Sequence, residues 1–244
     1  MARLGAGRPA IFLDFDGTLA PIVEHPEDAR LAPAMRAVVA ALAARHPLAV
    51  VSGRELADVR ARVGLAGVHC AGSHGFQIEG PGGATLQHPQ AQARLCALDA
   101  AEQALTRALA GLTGARIERK TFSLAVHYRQ LADADLPRVQ EVVRAVVAAE
   151  PGLRVQAGKK VYDFQPAVDW HKGRAVEWLL AAMADELGIG ADDLAPLYVG
   201  DDVTDEDAFA TLAGRGVTVA VLDMPRATQA GYRLRSVDEV QRLL

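Results

Sequence analysis

The sequence predicts an α/β architecture, an open parallel-sheet core with an inserted α+β module, and three observations lead there. Short apolar runs end abruptly in polar residues: Ile-Phe-Leu (11–13) before Asp14, Leu-Ala-Val-Val (48–51) before Ser52, and Leu-Tyr-Val (197–199) before Gly200 and Asp201. Such runs read as strands buried on both faces, and helical segments between them imply parallel pairing. Across residues 85–166 the order changes to helices alternating with paired strand-like segments, the signature of a separate, largely antiparallel module.

The elements follow in order. After the first strand, residues 33–45 form a helix opened by Pro33, a residue suited to a first turn. The second strand leads into a helix over 55–63. The module then supplies one long helix over 90–109, strands over 115–119 and 122–128, a helix over 135–149, and strands over 151–156 and 160–164 with Gly158 in their turn. The core resumes with a helix over 173–187, the strand before Asp201, a helix over 206–212 and a strand over 217–222. The expected division is a core of residues 1–84 and 167–244 and a module of 85–166.

The chain has 244 residues, 50% hydrophobic and 23% charged, which excludes disordered and fibrous classes. A net charge of −4 provides no field for nucleic acid or an anionic membrane. No apolar run approaches a bilayer span, and the N-terminus lacks a secretory signal, so a cytoplasmic monomer is expected. Residues 5–10 loosely match a dinucleotide pattern but precede the first strand, and read as a leader. Cys70 and Cys96 fit no zinc or redox spacing and read as reduced core thiols.

In an open parallel sheet the loops leaving the C-terminal strand ends share one crevice, so Asp14, Ser52 and Asp201 are brought together from distant positions. Asp14 and Asp16, at i and i+2, can aim two carboxylates to one side, with Gly17 turning the chain behind them. A calcium loop from Asp14 fails at its fifth and twelfth positions, Thr18 and His25. Ser52-Gly53 suits either phosphate binding at a helix start or an ordinary cap, and Thr204 with Asp207 suits a cap as well.

Asp14-x-Asp16-Gly-Thr, Ser52-Gly-Arg54, Lys172-Gly and Gly-Asp201-Asp202-Val-Thr-Asp205-Glu-Asp207 together resemble, in order and spacing, the four motifs of haloacid-dehalogenase-like phosphatases. Gly72-Ser-His74-Gly, Glu118-Arg-Lys120, the 123–129 string around His127 and Gly158-Lys-Lys-Val narrow the resemblance to trehalose-6-phosphate phosphatases. It implies a Rossmann-like core with a specificity cap and Mg2+-dependent hydrolysis of a small-molecule sugar phosphate. Asp14 would be the nucleophile, Asp16 the acid and base, and Lys172 the cation that binds phosphate with Ser52 and Gly53. Asp14, Asp16 (through its carbonyl) and Asp201 would hold the metal, with Asp202 and Asp205 in support. Arg54, His74, Glu118, Lys120, His127, Lys159, Lys160 and Asp163 would bind substrate, the cap residues being brought over the sugar when the cap closes.

Lysine usage adds a clue independent of the resemblance. Only Lys120, Lys159, Lys160 and Lys172 interrupt an otherwise all-arginine set of 26 cations, and all four fall in these motifs, where a compact point charge has a use. Asp163 and Gln165 stand where the family more often has Glu and Arg. The core motifs also leave open a sucrose-phosphate or mannosyl-3-phosphoglycerate phosphatase, or a phosphotransferase of the phosphomannomutase kind.

Overall fold

The structure, a computed structural model, describes residues 7–83, 85–158 and 160–244. Contacts divide the chain into two compact units, one of Met1–Leu86 with Trp170–Leu244 and one of Gln87–Asp169. The first passage of the core unit runs β1 (Arg8–Leu13), α1 (Pro33–Ala43), β2 (Leu48–Val51), α2 (Leu56–Val63), β3 (Val68–Gly72), β4 (Gln77–Glu79) and β5 (Thr85–Gln87). The second unit contains α3 (Pro89–Gln92), α4 (Leu95–Ala108), β6 (Arg116–Arg119), β7 (Leu124–His127), α5 (Leu136–Ala149), β8 (Leu153–Gly158) and β9 (Val161–Pro166). The chain returns through α6 (Lys172–Leu187), β10 (Leu194–Gly200), α7 (Glu206–Thr211), β11 (Val217–Val221), β12 (Tyr232–Leu234) and α8 (Val237–Leu243).

The core sheet has the order β12-β11-β10-β1-β2-β3-β4-β5, parallel from β12 to β3, with β4 antiparallel to β3. Strand residues alternate between two apolar layers, as period two requires. Phe12, Val51 and Tyr198 pack with Val176, Leu179 and Phe209 on the α6–α7 side. Ile11, Leu13, Val50 and Val199 pack with Met35, Val39, Val59 and Val240 on the other. α6 stops at Gly188, whose φ of 65° is a left-handed cap open to glycine at no steric cost.

The second unit is a four-stranded antiparallel sheet, β6-β7-β9-β8, with α4 and α5 on one face. Leu124, Val126 and Phe164 meet Leu98, Leu105, Val139 and Val143 there. The opposite face carries the alternate, mostly polar residues.

Several expectations need correction. The long helix over 90–109 is two pieces, a single turn α3 capped by His88, whose Nδ1 accepts from the Ala91 N–H, and then α4. Gly158 ends β8 and pairs with Val161; the left-handed residue of that hairpin is Lys160, with φ 63°. Cys70 is buried but Cys96 is exposed. The reason is helical phase: α4 buries Leu98, Ala101 and Leu105, and position 96 lies roughly 200° from 98 around the axis. The residue 5–10 leader is also revised, because β1 already starts at Arg8, while residues 5 and 6 lie outside the described residues. No helix among the described residues is long and apolar enough to cross a membrane.

Candidate active site

Register explains why distant residues meet. Leu13 is level with Val50 on one side and Val199 on the other, so the strand ends of β10, β1 and β2 deliver Asp201, Asp14 and Ser52 in neighbouring positions. The Asp14 N–H continues the ladder by donating to the Val199 carbonyl at 2.9 Å. Gly17 has φ 78°, and a methyl group there would overlap the Asp201 carboxylate, so this turn requires glycine twice over.

Lys172 opens α6 and is only 2% exposed. Its Nζ donates to Asp14 Oδ1 and to Asp205 Oδ1, each at 2.7 Å. Asp205 is fully buried and also accepts from the Tyr198 hydroxyl at 2.6 Å and from the Asp202 N–H at 2.9 Å. That last bond belongs to a capping box between Asp202 and Asp205, so the cap lies earlier than Thr204 and Asp207. Asp201 is held through its carbonyl, which accepts from Arg226 Nη2 at 2.8 Å.

Carboxylate oxygens of Asp14, Asp201 and Asp205 lie within 4.8 Å of one another, a set that could hold a metal ion. One ammonium faces these three acids, and the electrostatics register the shortage of positive charge. Burial pushes the Asp14 carboxyl well above the usual range, with Lys172 opposing and Asp205 and Asp201 reinforcing. Burial, followed by Asp205 and Asp202, pushes Asp201 up to about 7. Lys172 is raised: burial works against its charge, but Asp14 and Asp205 more than compensate. An all-oxygen donor set with unbalanced negative charge fits a hard divalent cation.

Asp16 sits in a different environment. Its carboxylate is 38% exposed and clamped by Arg54, with Nε to Oδ2 at 2.6 Å and Nη2 to Oδ1 at 2.7 Å. Arg54 Nη1 also reaches Asp58 Oδ2 at 2.9 Å, and Arg62 Nε holds the other Asp58 oxygen at 2.7 Å. The Arg54 guanidinium, expected to face substrate, is thus engaged by two carboxylates of its own unit.

Ser52 is buried, and its Oγ accepts from the Arg54 N–H at 3.2 Å, forming a local turn; α2 begins later, after Glu55. His74 lies over Gly53 so closely that any side chain at 53 would overlap its ring. Ser73 and His74 both take left-handed φ, 52° and 57°, and their N–H groups donate to the Arg54 and Ser52 carbonyls. Two consecutive non-glycine residues in that region mark stored strain behind the Ser52–Arg54 turn.

In the second unit, Glu118, Ala125, Asp163 and Gln156 form one row across β6, β7, β9 and β8, on the face away from the helices. Ala125, small and buried, lies between the two acids in this row. His127 Nε2 pairs with Glu118 Oε2 at 2.9 Å, and Lys120 Nζ lies 3.7 Å from Oε1. Burial raises Glu118, but Lys120 and His127 outweigh it and hold the carboxyl low. Burial raises Asp163, offset in part by Gln165 Nε2 donating at 2.6 Å; Arg154 in turn donates to Gln165 Oε1 at 3.3 Å. Lys160 instead places its ammonium 5.9 Å over the Tyr128 ring, itself stacked on Tyr162. Lys159 lies outside the described residues. Sequence reasoning overlooked Tyr198, Arg226, Gln156 and Arg154, and treated Asp205 as peripheral. The capping-box spacing of Asp202 and Asp205 was the available signal for the last.

Comparison with known proteins agrees with this geometry. A trehalose-phosphatase family profile matches residues 12–238. A trehalose-phosphate phosphatase of Mycobacterium tuberculosis is 45% identical over 238 residues, 96% of this chain and 59% of that protein. One from Mycobacterium ulcerans is 41% identical over 94% of this chain and 58% of its own length. The chain therefore spans about three fifths of the length of these curated relatives. Among solved structures, the C-terminal domain of a Candida albicans trehalose-6-phosphate phosphatase superposes with a TM-score of 0.80 at 23% identity, covering 99% of this chain and 93% of that one. With its motifs at the strand ends of a haloacid-dehalogenase-type core and its matches running nearly end to end, this chain belongs to the trehalose-phosphatase family.

Proposed function

We propose that the chain hydrolyses trehalose 6-phosphate to trehalose and inorganic phosphate, a trehalose-forming step, with Mg2+ as its metal. The observation that carries the reading is the buried Asp14, whose Oδ1 sits 2.7 Å from the Lys172 ammonium at a strand end, in a chain matched by the trehalose-phosphatase profile. Asp14 attacks phosphorus as the bond to the sugar oxygen breaks, giving an aspartyl phosphate. Asp16 donates the proton that the departing oxygen needs, then takes one from the water that hydrolyses the acyl phosphate and regenerates Asp14. Asp14, Asp201 and the Asp16 carbonyl would hold the cation, which would supply charge to offset repulsion between carboxylate and phosphate. Lys172, the Ser52 hydroxyl and the Gly53 N–H bind the phosphate oxygens.

In the second unit, Glu118, His127, Lys120 and Asp163 offer donors and acceptors beside Ala125, suited to sugar hydroxyls, with Lys160 at the turn between β8 and β9; Lys159 is assigned to the same role from the sequence alone. Arg54 holds Asp16, and His74 supports the phosphate turn from behind. The proposed setting is the cytoplasm, as a monomer. Phosphate release should be measured from trehalose 6-phosphate, sucrose 6-phosphate, mannosyl-3-phosphoglycerate and p-nitrophenyl phosphate, with Mg2+ and with EDTA. Preference for trehalose 6-phosphate, lost on chelation, supports the reading; preference for another sugar phosphate, or undiminished activity in EDTA, refutes it.

A further inference from the structure

We propose that Tyr198 is a positioning residue for phosphoryl transfer: its hydroxyl fixes the Asp205 carboxylate and, through it, the Lys172 ammonium against Asp14. The inference rests on the reaction proposed above but concerns only its phosphoryl site. Tyr198 is fully buried in β10, within an apolar layer that a phenylalanine would fill equally well. Packing alone gives no reason for a hydroxyl there, and a buried hydroxyl is costly unless it is bonded. This one donates at 2.6 Å to Asp205 Oδ1, the same oxygen that accepts a hydrogen bond from the Lys172 ammonium at 2.7 Å. The second Asp205 oxygen is held by the Asp202 N–H at 2.9 Å.

Each link is fixed from behind. Phe209 meets the Tyr198 ring edge-on, with centroids 5.7 Å apart and planes at 84°. Tyr198 and Gly200 share a face of β10, and any side chain at Gly200 would overlap the Asp205 carboxyl. At the other end, any side chain at Gly173 would overlap Thr211 and the Asp207 backbone, so the start of α6 is seated directly on α7. With two of its three N–H donors committed to Asp205 and Asp14, the Lys172 ammonium has its remaining direction set. Without the hydroxyl, Asp205 keeps its charge and its backbone bond but can pivot, and Lys172 pivots with it.

The test is Tyr198→Phe, with Phe209→Leu as a control that loosens the same ring and leaves the hydroxyl in place. Tyr198→Phe is expected to lower kcat about tenfold while KM stays within about twofold, equally on trehalose 6-phosphate and p-nitrophenyl phosphate. Phe209→Leu is expected to lower the melting temperature without a matching loss of kcat. A readout independent of turnover is available because the chain has four lysines. Reductive methylation mapped by mass spectrometry should reach Lys172 several-fold faster in Tyr198→Phe, measured against Lys120. Wild-type kcat on p-nitrophenyl phosphate, or unchanged Lys172 labelling, overturns the proposal, as does an equal kcat loss in Phe209→Leu. If the parent protein hydrolyses p-nitrophenyl phosphate and not trehalose 6-phosphate, the substrate reading fails while the small ester still judges Tyr198.

Discussion

Lys172→Met replaces the buried ammonium with an apolar side chain of similar length, and the structure sets the scale of the effect. The ammonium lies 2.7 Å from each of two buried carboxylates, and no other side-chain cation bonds to either Asp14 or Asp205 among the described residues. Removing one partner of a buried ion pair typically costs about 3–5 kcal/mol, because the remaining charge stays desolvated. For a chain of this length each kcal/mol moves the melting temperature by about 2–4 °C, so a fall of about 6–20 °C is expected by calorimetry. The contrast is Glu177→Ala. It breaks the Arg174–Glu177 pair, whose side chains are roughly half exposed, and such a pair contributes at most about 1 kcal/mol. Phosphate release by Lys172→Met should fall by at least about a hundredfold, since one charge-stabilising donor at a developing oxyanion is typically worth that much. A melting temperature within 2 °C of the parent, or a larger drop in Glu177→Ala, would refute the reasoning.

Two further outcomes follow from single residues. Asp58 is held low because, although burial raises it, its bonds from Arg62 and Arg54 prevail. A depressed folded value contributes stability above the unfolded value of about 3.9 that disappears as pH falls through the folded value. The melting-temperature gap between the parent and Asp58→Asn should therefore narrow on acidification below about pH 4; a gap that widens there contradicts the arginine clamp. Burial also pushes the Cys70 thiol up to about 11, while Cys96 is exposed. Iodoacetamide at pH 8 should alkylate Cys96 alone until urea unfolds the chain, and early modification of Cys70 would show that its site is open.

Asp14, Ser52 and Asp201 were legible because each follows an apolar run whose only stable home is the middle of a parallel sheet, and that topology forces the strand ends together. Tyr198 was not. The β10 string Leu-Ala-Pro-Leu-Tyr-Val-Gly is apolar on both faces, so no period distinguishes the face carrying the hydroxyl from the one carrying Val199. The carboxylate partners of Arg54 were not legible for a related reason: an arginine beside a phosphate motif reads as a ligand, and the two carboxylates that engage it lie 38 and 4 positions away. The strands β4, β5 and β12 have three residues each, too short to show alternation. Cys96 was misplaced because cysteine is usually buried, a composition rule that helical phase overrode here.

Asp14 and Asp16 are two residues apart yet divide the proposed chemistry by environment. Asp14 is buried against an ammonium, while Asp16 is partly exposed and held in a bidentate fork by Arg54. A fork of this kind orients a carboxylate more tightly than a single bond and favours its ionised form, so the proposed acid role requires Arg54 to yield one Asp16 oxygen when the proton is carried. The two halves can be separated with leaving groups of unequal basicity. A sugar alkoxide cannot depart without a proton, whereas p-nitrophenolate can, so Asp16→Asn should lose the first step on trehalose 6-phosphate and keep much of it on p-nitrophenyl phosphate. The second step, attack of water on the acyl phosphate, requires the base with either substrate. Rapid mixing of Asp16→Asn with p-nitrophenyl phosphate should therefore give a burst of about one p-nitrophenolate per site followed by a near stop, with phosphate retained on Asp14. Steady turnover without a burst, together with equal losses on both esters, would remove Asp16 from proton transfer and leave it a structural partner of Arg54.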